Sequence, residues 1–341
     1  MNANAIRRFE TLKGILGKAY GVADVTRQFA VDPTVEQRLQ DKIIATSDFL
    51  QKINVVPVTE LKGQNIFGAA SGPVTGRTDT TVDGRERKTR DVLSLTHAEY
   101  ELFRTNSDVH ITYHTIDAWA KFPDLGQRYT GYVQKRIALD RELIGWYGES
   151  AAADTDLAAN PLMQDVNRGW MQYMRTNMPA NVLLEGKTPG EIRIGAGGDY
   201  ANLDLAVFDL LQALPAFLRD GLVALIGSDL IAQESAALFA AVGGKPTEKN
   251  AMNMAMSRLG GLVWDSPYNF PARGLVVTSY DNLSIYYQEG SWRRQILQVA
   301  KKDRVEDYNS RNEGFVVETP EKFAALEFKN VKLPDGSGGW A

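Results

Sequence analysis

At 341 residues, 44% hydrophobic and 23% charged, the chain has globular composition and enough length for two ordinary domains. A net charge of -4 supplies no overall basic field to recruit nucleic acid. With no cysteine, disulfides, thiolate metal sites and cysteine catalysis are excluded.

No apolar run reaches membrane-spanning length. The amino terminus lacks the apolar core and small-residue cleavage site of a secretory signal. The expectation is a soluble protein made inside the cell, with no membrane partner.

In chain order, residues 5 to 20 predict a short amphipathic helix with Ile6, Phe9, Leu12, Ile15, Leu16 and Tyr20 on one face. From Met1 to Ala30 five basic residues (Arg7, Arg8, Lys13, Lys18, Arg27) stand against Glu10 and Asp24, a net +3 opposite in sign to the whole chain. Such a segment either has its own partner or is an ordinary surface helix. Asp32-Pro33-Thr34 marks a break before a second helix carrying Val35, Leu39, Ile43, Ile44 and Leu50, with Thr34 as candidate N-cap. Asn54 to Glu60 reads as a strand that Pro57 confines to a sheet edge.

From Gly63 to about Thr96 periodicity is lost in a threonine-rich run punctuated by Gly63, Gly68, Gly72, Gly76 and Gly84. A loop beyond ~15 residues is out of place in a compact domain unless functional or disordered. The threonines and the Asp83-Gly84 turn predict a long two-stranded arm. Ordering ~30 residues costs on the order of 1–2 kcal/mol each, with few apolar groups to offset it. The arm therefore lies on another surface, for which a neighbouring subunit is the candidate, or stays floppy.

Ser107 to Ile116 alternates like a half-buried strand, with Val109, Ile111 and Tyr113 on one face. Pro123 to Gly148 then predicts one helix of about 25 residues, about 38 Å long at a rise of roughly 1.5 Å per residue. Leu125, Tyr129, Tyr132, Val133, Ile137, Ile144 and Tyr147 recur along it, Arg128, Lys135, Arg141 and Glu142 fill the other directions, and Gly148 is its stop. A small-residue linker from Ser150 reads as a domain boundary. Beyond it come helices at Leu162–Met174, Leu203–Leu218 (broken by Pro215), Asp229–Val242 and Asn250–Leu259. Strands are expected at Leu222–Ile226, Gly274–Thr278 and Leu283–Tyr287, which makes the chain α+β. Asp303–Val317 and Phe323–Val331 read as a returning strand pair able to extend the sheet begun by Ser107–Ile116. The tail PDGSGGWA reads as a flexible end.

Catalytic patterns are missing. His110 and His114 are four apart in a strand context without HExxH. GAGGDY fits neither GxGxxG nor a P-loop, and Asp199 or Asn202 as a helix cap explains that turn better. Asp154 and Asp156 sit in a linker, and no nucleophile elbow or Ser/His/Asp set stands out. The chain is not read as an enzyme; no cofactor, metal or catalytic residue is assigned.

Several stretches resemble the major capsid proteins of P2-like tailed bacteriophages: ATSDFLQKINVVPVTELKG (45–63), TIDAWAKF (115–122), NPLMQDVNRGW (160–170), GGDYANLD (197–204), DNLSIYY (281–287) and DRVEDYN (303–309). They occur in the same order over most of the chain. The resemblance implies the HK97-like capsid fold. Its parts would be an N-terminal assembly segment at 1–31, removed by a prohead protease near Phe29-Ala30, an N-arm at 32–60 and an extended β-hairpin loop at 61–96. A peripheral domain at 97–150 and 298–332 would contain the spine helix 123–148. An axial domain at 151–297 and a flexible tail at 333–341 would complete the chain.

The loop's Arg77, Arg85, Arg87, Lys88 and Arg90 are the candidate intersubunit residues. The resemblance further implies self-assembly into pentamers and hexamers of an icosahedral head, with a scaffolding protein, a portal at one vertex and non-specific contact with packaged double-stranded DNA. Assembly would take place in the bacterial host cytoplasm, and the product would be the virion capsid. A host-encoded nanocompartment shell of the same fold, or an unrecognised α+β enzyme with a deep pocket, are the alternatives.

Overall fold

The computed structural model describes residues 3–70, 75, 77–81, 85–87, 89, 93–119, 124–241, 257–335 and 337–341. The N-terminal periodicity forms α1 (Ala3–Tyr20), then the short strand β1 (Phe29–Ala30) and α2 (Pro33–Ile44). The cap of α2 is Asp32 rather than Thr34: its carboxylate accepts from the Thr34 N–H at 2.9 Å, one residue ahead of proline at the first helical position. β2 (Asn54–Val58) is an edge strand, as Pro57 requires. β3 (Lys62–Ala70) and β4 (Leu93–Glu101) pair antiparallel from Lys62↔Glu101 to Ala70↔Leu93, so the arm is a two-stranded ribbon. Its Asp83-Gly84 turn lies outside the described residues.

β5 (Phe103–Asn106) and β6 (Val109–Thr112) follow. The strand expected to run to Ile116 stops at Thr112, and Tyr113–Trp119 is the helix α3. The Thr112 hydroxyl accepts from the Thr115 N–H at 3.2 Å, a local cap that competes with the ladder. The long helix is α4 (Leu125–Tyr147), with Gly148 as C-cap; Pro123 lies outside the described residues. The helix expected from Leu162 begins only at Trp170 (α5, Trp170–Asn177). Upstream, the Asp165 carboxylate accepts from the Asp156 N–H at 2.7 Å and the Asn160 side chain at 3.1 Å, satisfying the backbone by turns instead.

Then come β7 (Val182–Leu183), β8 (Ile192–Arg193), α6 (Leu203–Ala213), β9 (Val223–Ile226) and α7 (Ser228–Ala241). Asn202 caps α6 by accepting from the Leu205 N–H at 3.0 Å, and Pro215 ends it as expected. Of the helix expected at Asn250–Leu259, residues 250–256 lie outside the described residues, and Leu259 makes a bridge with Leu262. The chain closes with β10 (Val263–Asp265), β11 (Leu275–Thr278), β12 (Leu283–Gln288), β13 (Arg293–Val299), β14 (Arg304–Val317), β15 (Ala324–Leu326) and β16 (Val331–Lys332).

Among the described residues two main sheets organise the molecule. A seven-stranded sheet is centred on β14, which pairs β13 and β12 along successive stretches and also pairs β5 and β6; β1 adds to β13 and β2 to β12. A five-stranded sheet runs β10-β9-β11-β15-β7. β14 and β15 are therefore not a pair: the fully buried Ala324, Ala325 and Leu326 fill the slot between β11 and β7 instead. The first core packs α1, α2, α4 and α5 on one face of the larger sheet through Ile43, Ile137, Trp146, Trp170 and Phe315. The second packs α6 on the smaller sheet through Leu203, Val207, Leu275 and Val277.

The tail read as a free end is tied down. Leu333 and Ala341 exchange backbone hydrogen bonds at 3.1 and 3.0 Å, and the Arg193 guanidinium stands 5.7 Å from the Trp340 ring. The Asp335 carboxylate accepts from the Ser337 and Gly339 N–H groups at 2.8 Å, which closes the turn.

Candidate assembly surfaces

The amphipathic stripe of α1 docks on α4: Phe9, Leu16 and Tyr20 are buried in the main core, while Arg7 and Lys18 stay exposed. Downstream the chain runs along β13, with Ile296 N–H donating to the Val25 carbonyl at 3.0 Å and Val31 N–H to the Trp292 carbonyl at 2.8 Å. Phe29 and Ala30, the candidate processing residues, lie in this ladder opposite Arg294 and Arg293. β1 is extended, Ala30 is exposed, and no described strand covers its outer edge. At the inner end of the segment the Tyr20 hydroxyl bonds the Arg294 guanidinium, which grips Asp307 at 2.9 and 2.6 Å. Tyr129 donates to the same carboxylate at 3.3 Å. Burial, and secondarily the negative Asp307, push the Tyr129 hydroxyl well above the usual phenol range.

The arm leaves the body at Leu61 and Leu102, whose backbones are joined at 2.8 Å. Tyr100 stacks edge-on against Tyr286 at 5.1 Å, and Leu102, Tyr286 and Val316 form a small apolar cluster at its root. Beside that root a cleft of about 850 Å³ lies between the arm and α5, lined by Tyr100, Glu101, Phe103, Arg168 and Tyr173 among others. Arg77, Arg85 and Arg87 are exposed on the single chain. Lys88 and Arg90 lie outside the described residues.

Between α4 and the larger sheet lies a polar layer that sequence reasoning missed. Glu313, fully buried, accepts from Arg141 Nε at 3.0 Å and from Arg311 Nε at 2.7 Å. Arg141 continues to Gln40 of α2 at 2.8 Å, and Ser47 bonds Glu142. Asp307, Asn309, Arg311 and Glu313 alternate along β14, a period-two polar pattern that by itself signals a solvent face. In the fold it is the inner face: Asp307 pairs with Arg294 of β13, Arg311 with Glu313 along β14, and Glu313 also with Arg141 of α4.

Nothing resembling a catalytic constellation is assembled among the described residues. His110 and His114 are both exposed, on β6 and α3, and no cluster of metal-ligating side chains is present there. Asp199 is a structural acceptor for the Lys187 and Arg193 N–H groups at 2.8 Å. Asp154 and Asp156 are exposed. The single chain also exposes large apolar or aromatic side chains: Leu205 and Phe208 on α6, Phe217 (70% exposed) just after it, Phe239 on α7, Val263 on β10 and Tyr268 beyond it.

The family model for the phage major capsid protein, P2 family, matches residues 8–328. The chain is 38% identical over 328 residues to the "Capsid proteins" of Escherichia phage P2, covering 92% of this chain and 90% of that one. It is 32% identical to the major capsid protein of Serratia phage KSP20, with 93% of each covered. Its fold is similar to a chain of the satellite phage P4 procapsid including size determination (Sid) protein, with a TM-score of 0.77, 32% identity, and 99% and 100% of the two chains covered. A capsid chain of an empty GTA particle shares the fold at 18% identity and a TM-score of 0.53, over 82% and 89% of the two chains. The architecture is thus the α+β, HK97-like capsid fold, and its role is structural rather than enzymatic. The chain belongs to the P2 family of phage major capsid proteins.

Proposed function

We propose that copies of this major capsid protein close into pentamers and hexamers of an icosahedral head that encloses double-stranded DNA, with a portal at one vertex. A scaffolding protein and a prohead protease act on it during assembly in the host cytoplasm. The observation that carries this reading is the likeness to the P4 procapsid chain over the full length, joined to a paired arm and a set of exposed apolar side chains that one subunit leaves uncovered. In this reading 1–31 is the assembly segment, 32–60 the N-arm and 61–96 the extended loop. The peripheral domain, expected at 97–150 and 298–332, is here taken to be built on the larger sheet, which adds β12 and β13 from the stretch expected to be axial (151–297) and gives up β15. The axial domain is built on the smaller sheet and takes most of 151–282 together with β15.

Electron microscopy of the protein co-expressed with its scaffold tests the assembly: closed shells with five- and six-fold capsomers are expected. Light scattering that finds only monomer at high concentration with scaffold present overturns it. Processing is tested separately by intact mass of subunits from DNA-filled particles. The expected subunit lacks roughly the first 30 residues, a length set by the break before α2. A full-length mass removes the processing step and leaves the shell standing.

A further inference from the structure

The N-terminal segment sits on the rest of the subunit as a peptide sits in a receptor. It uses two recognition modes in series, an amphipathic helix in a groove and strand addition to a sheet edge. The helical mode is anchored by Phe9, Leu12, Leu16 and Tyr20, spaced three to four residues apart. Gly126 of α4 makes room for it: a Cβ there would stand 2.9 Å from the Leu12 side chain. Tyr20 is the deepest anchor. Its ring lies 5.2 Å from the Arg294 guanidinium and its hydroxyl bonds the same group. The strand mode adds the Val25 carbonyl to Ile296 and the Thr26 carbonyl to the Gln295 side chain at 2.9 Å. All of these contacts lie upstream of Phe29-Ala30. A cut there removes covalent continuity, which contributes only through effective concentration. It leaves the buried anchors in place.

We propose that the groove between α4 and β13 is a peptide-binding site whose ligand is residues 3–31 in cis, so that scission and release of the segment are separate steps. The second half rests on the reading that the segment is removed; the first does not. Once the segment leaves, β13 becomes an edge strand with its backbone open to a new partner.

The test uses the full chain with a protease site inserted at the exposed Arg27-Gln28, downstream of every anchor named above, cut while folded and run on size exclusion. The N-terminal fragment is expected to co-elute with the body, and to leave it in the Leu16→Ala, Tyr20→Ala double variant, with dissociation at least about tenfold faster. Gly14→Ala, whose new Cβ meets nothing within 4 Å, is expected to behave as wild type. If the double variant does not fold, a fluorescent synthetic peptide of residues 3–27 replaces it. Added in excess to the cleaved wild-type complex, that peptide is expected to displace the resident fragment saturably, and its Tyr20→Phe form to leave several-fold faster. Separation of the wild-type fragment from the body, whether the body stays folded or aggregates, overturns the proposal. So does equal retention of wild-type and double-variant fragments. Co-elution in a chain that never forms shells would keep the groove and remove the capsid assembly, so the two failures are distinguishable.

Discussion

Glu313 is buried between two guanidiniums and has no access to water. Burial alone raises its carboxyl, but Arg311 and then Arg141 outweigh that and hold it below the ordinary 4.5. Its stabilising contribution is therefore present above the unfolded value and lost as pH falls through the folded one. Glu313→Gln, which strands two buried cations, is expected to destabilise the subunit by about 3–5 kcal/mol at neutral pH, read by urea unfolding. Glu36 and Glu142 are shifted the other way, chiefly by burial. Glu36 has one oxygen bonded to the Gly290 N–H at 2.8 Å and one buried oxygen without a hydrogen-bond partner, and Glu142 accepts from the Ser47 hydroxyl and lies beside the Asn269 backbone N–H. Their contribution is complete below the ordinary 4.5 and is lost as pH rises through the raised folded values. The Glu36→Gln, Glu142→Gln double variant should melt above wild type at pH 8, the gap closing toward pH 4.5. A gap that widens on acidification contradicts the sign.

At the scale of elements, the C-terminal end of α4 meets the start of α5 closely enough to exclude side chains. A Cβ on Gly145 would stand 2.3 Å from the Trp170 ring, one on Gly148 2.2 Å from the Asn167 carbonyl, and one on Gly169 2.3 Å from the Gly145 carbonyl. Gly148 ends α4 with φ -60°, so crowding rather than a left-handed conformation demands glycine there. Two substitutions on one helix should therefore differ in sign. Gly131→Ala, with nothing within 4 Å, is expected to stabilise by about 1 kcal/mol through helix propensity. Gly145→Ala is expected to cost about 1–3 kcal/mol as Trp170 is displaced, despite the same propensity gain. Thermal unfolding of both variants decides it. The existence of α4 was readable from its 3.6-residue period. Its inner end was not: Arg141 and Glu142 read as outward-facing residues, yet both are buried because α2 and β14 pack on that side too.

At the scale of the whole molecule, the arm and the exposed apolar side chains are the features that the proposed assembly would cover. Trypsin should cut free subunits quickly at Arg77, Arg85 and Arg87, all exposed on the single chain. In assembled shells the same bonds should resist if the arm lies across a neighbour. Equal rates in the two states, followed by mass spectrometry, would exclude that role. Deleting Gly68 to Arg87 should keep the circular dichroism of both sheets and abolish shells, because among the described residues neither core draws on that stretch.

The sequence by itself determined the order of parts: the basic helix, the break before α2, the edge strand at Pro57, the paired arm, the long helix and the family resemblance. Each is written in local periodicity, turn residues or quoted motifs, which need no knowledge of distant contacts. Only the tertiary structure decided which strands share a sheet, so Ala324–Leu326 could not be told from a continuation of the first sheet by its apolar run alone. It also decided that the polar alternation of β14 faces inward. Whether a charged residue is exposed or buried depends on what packs opposite it, and for Glu313 that is Arg141, 172 residues away in sequence.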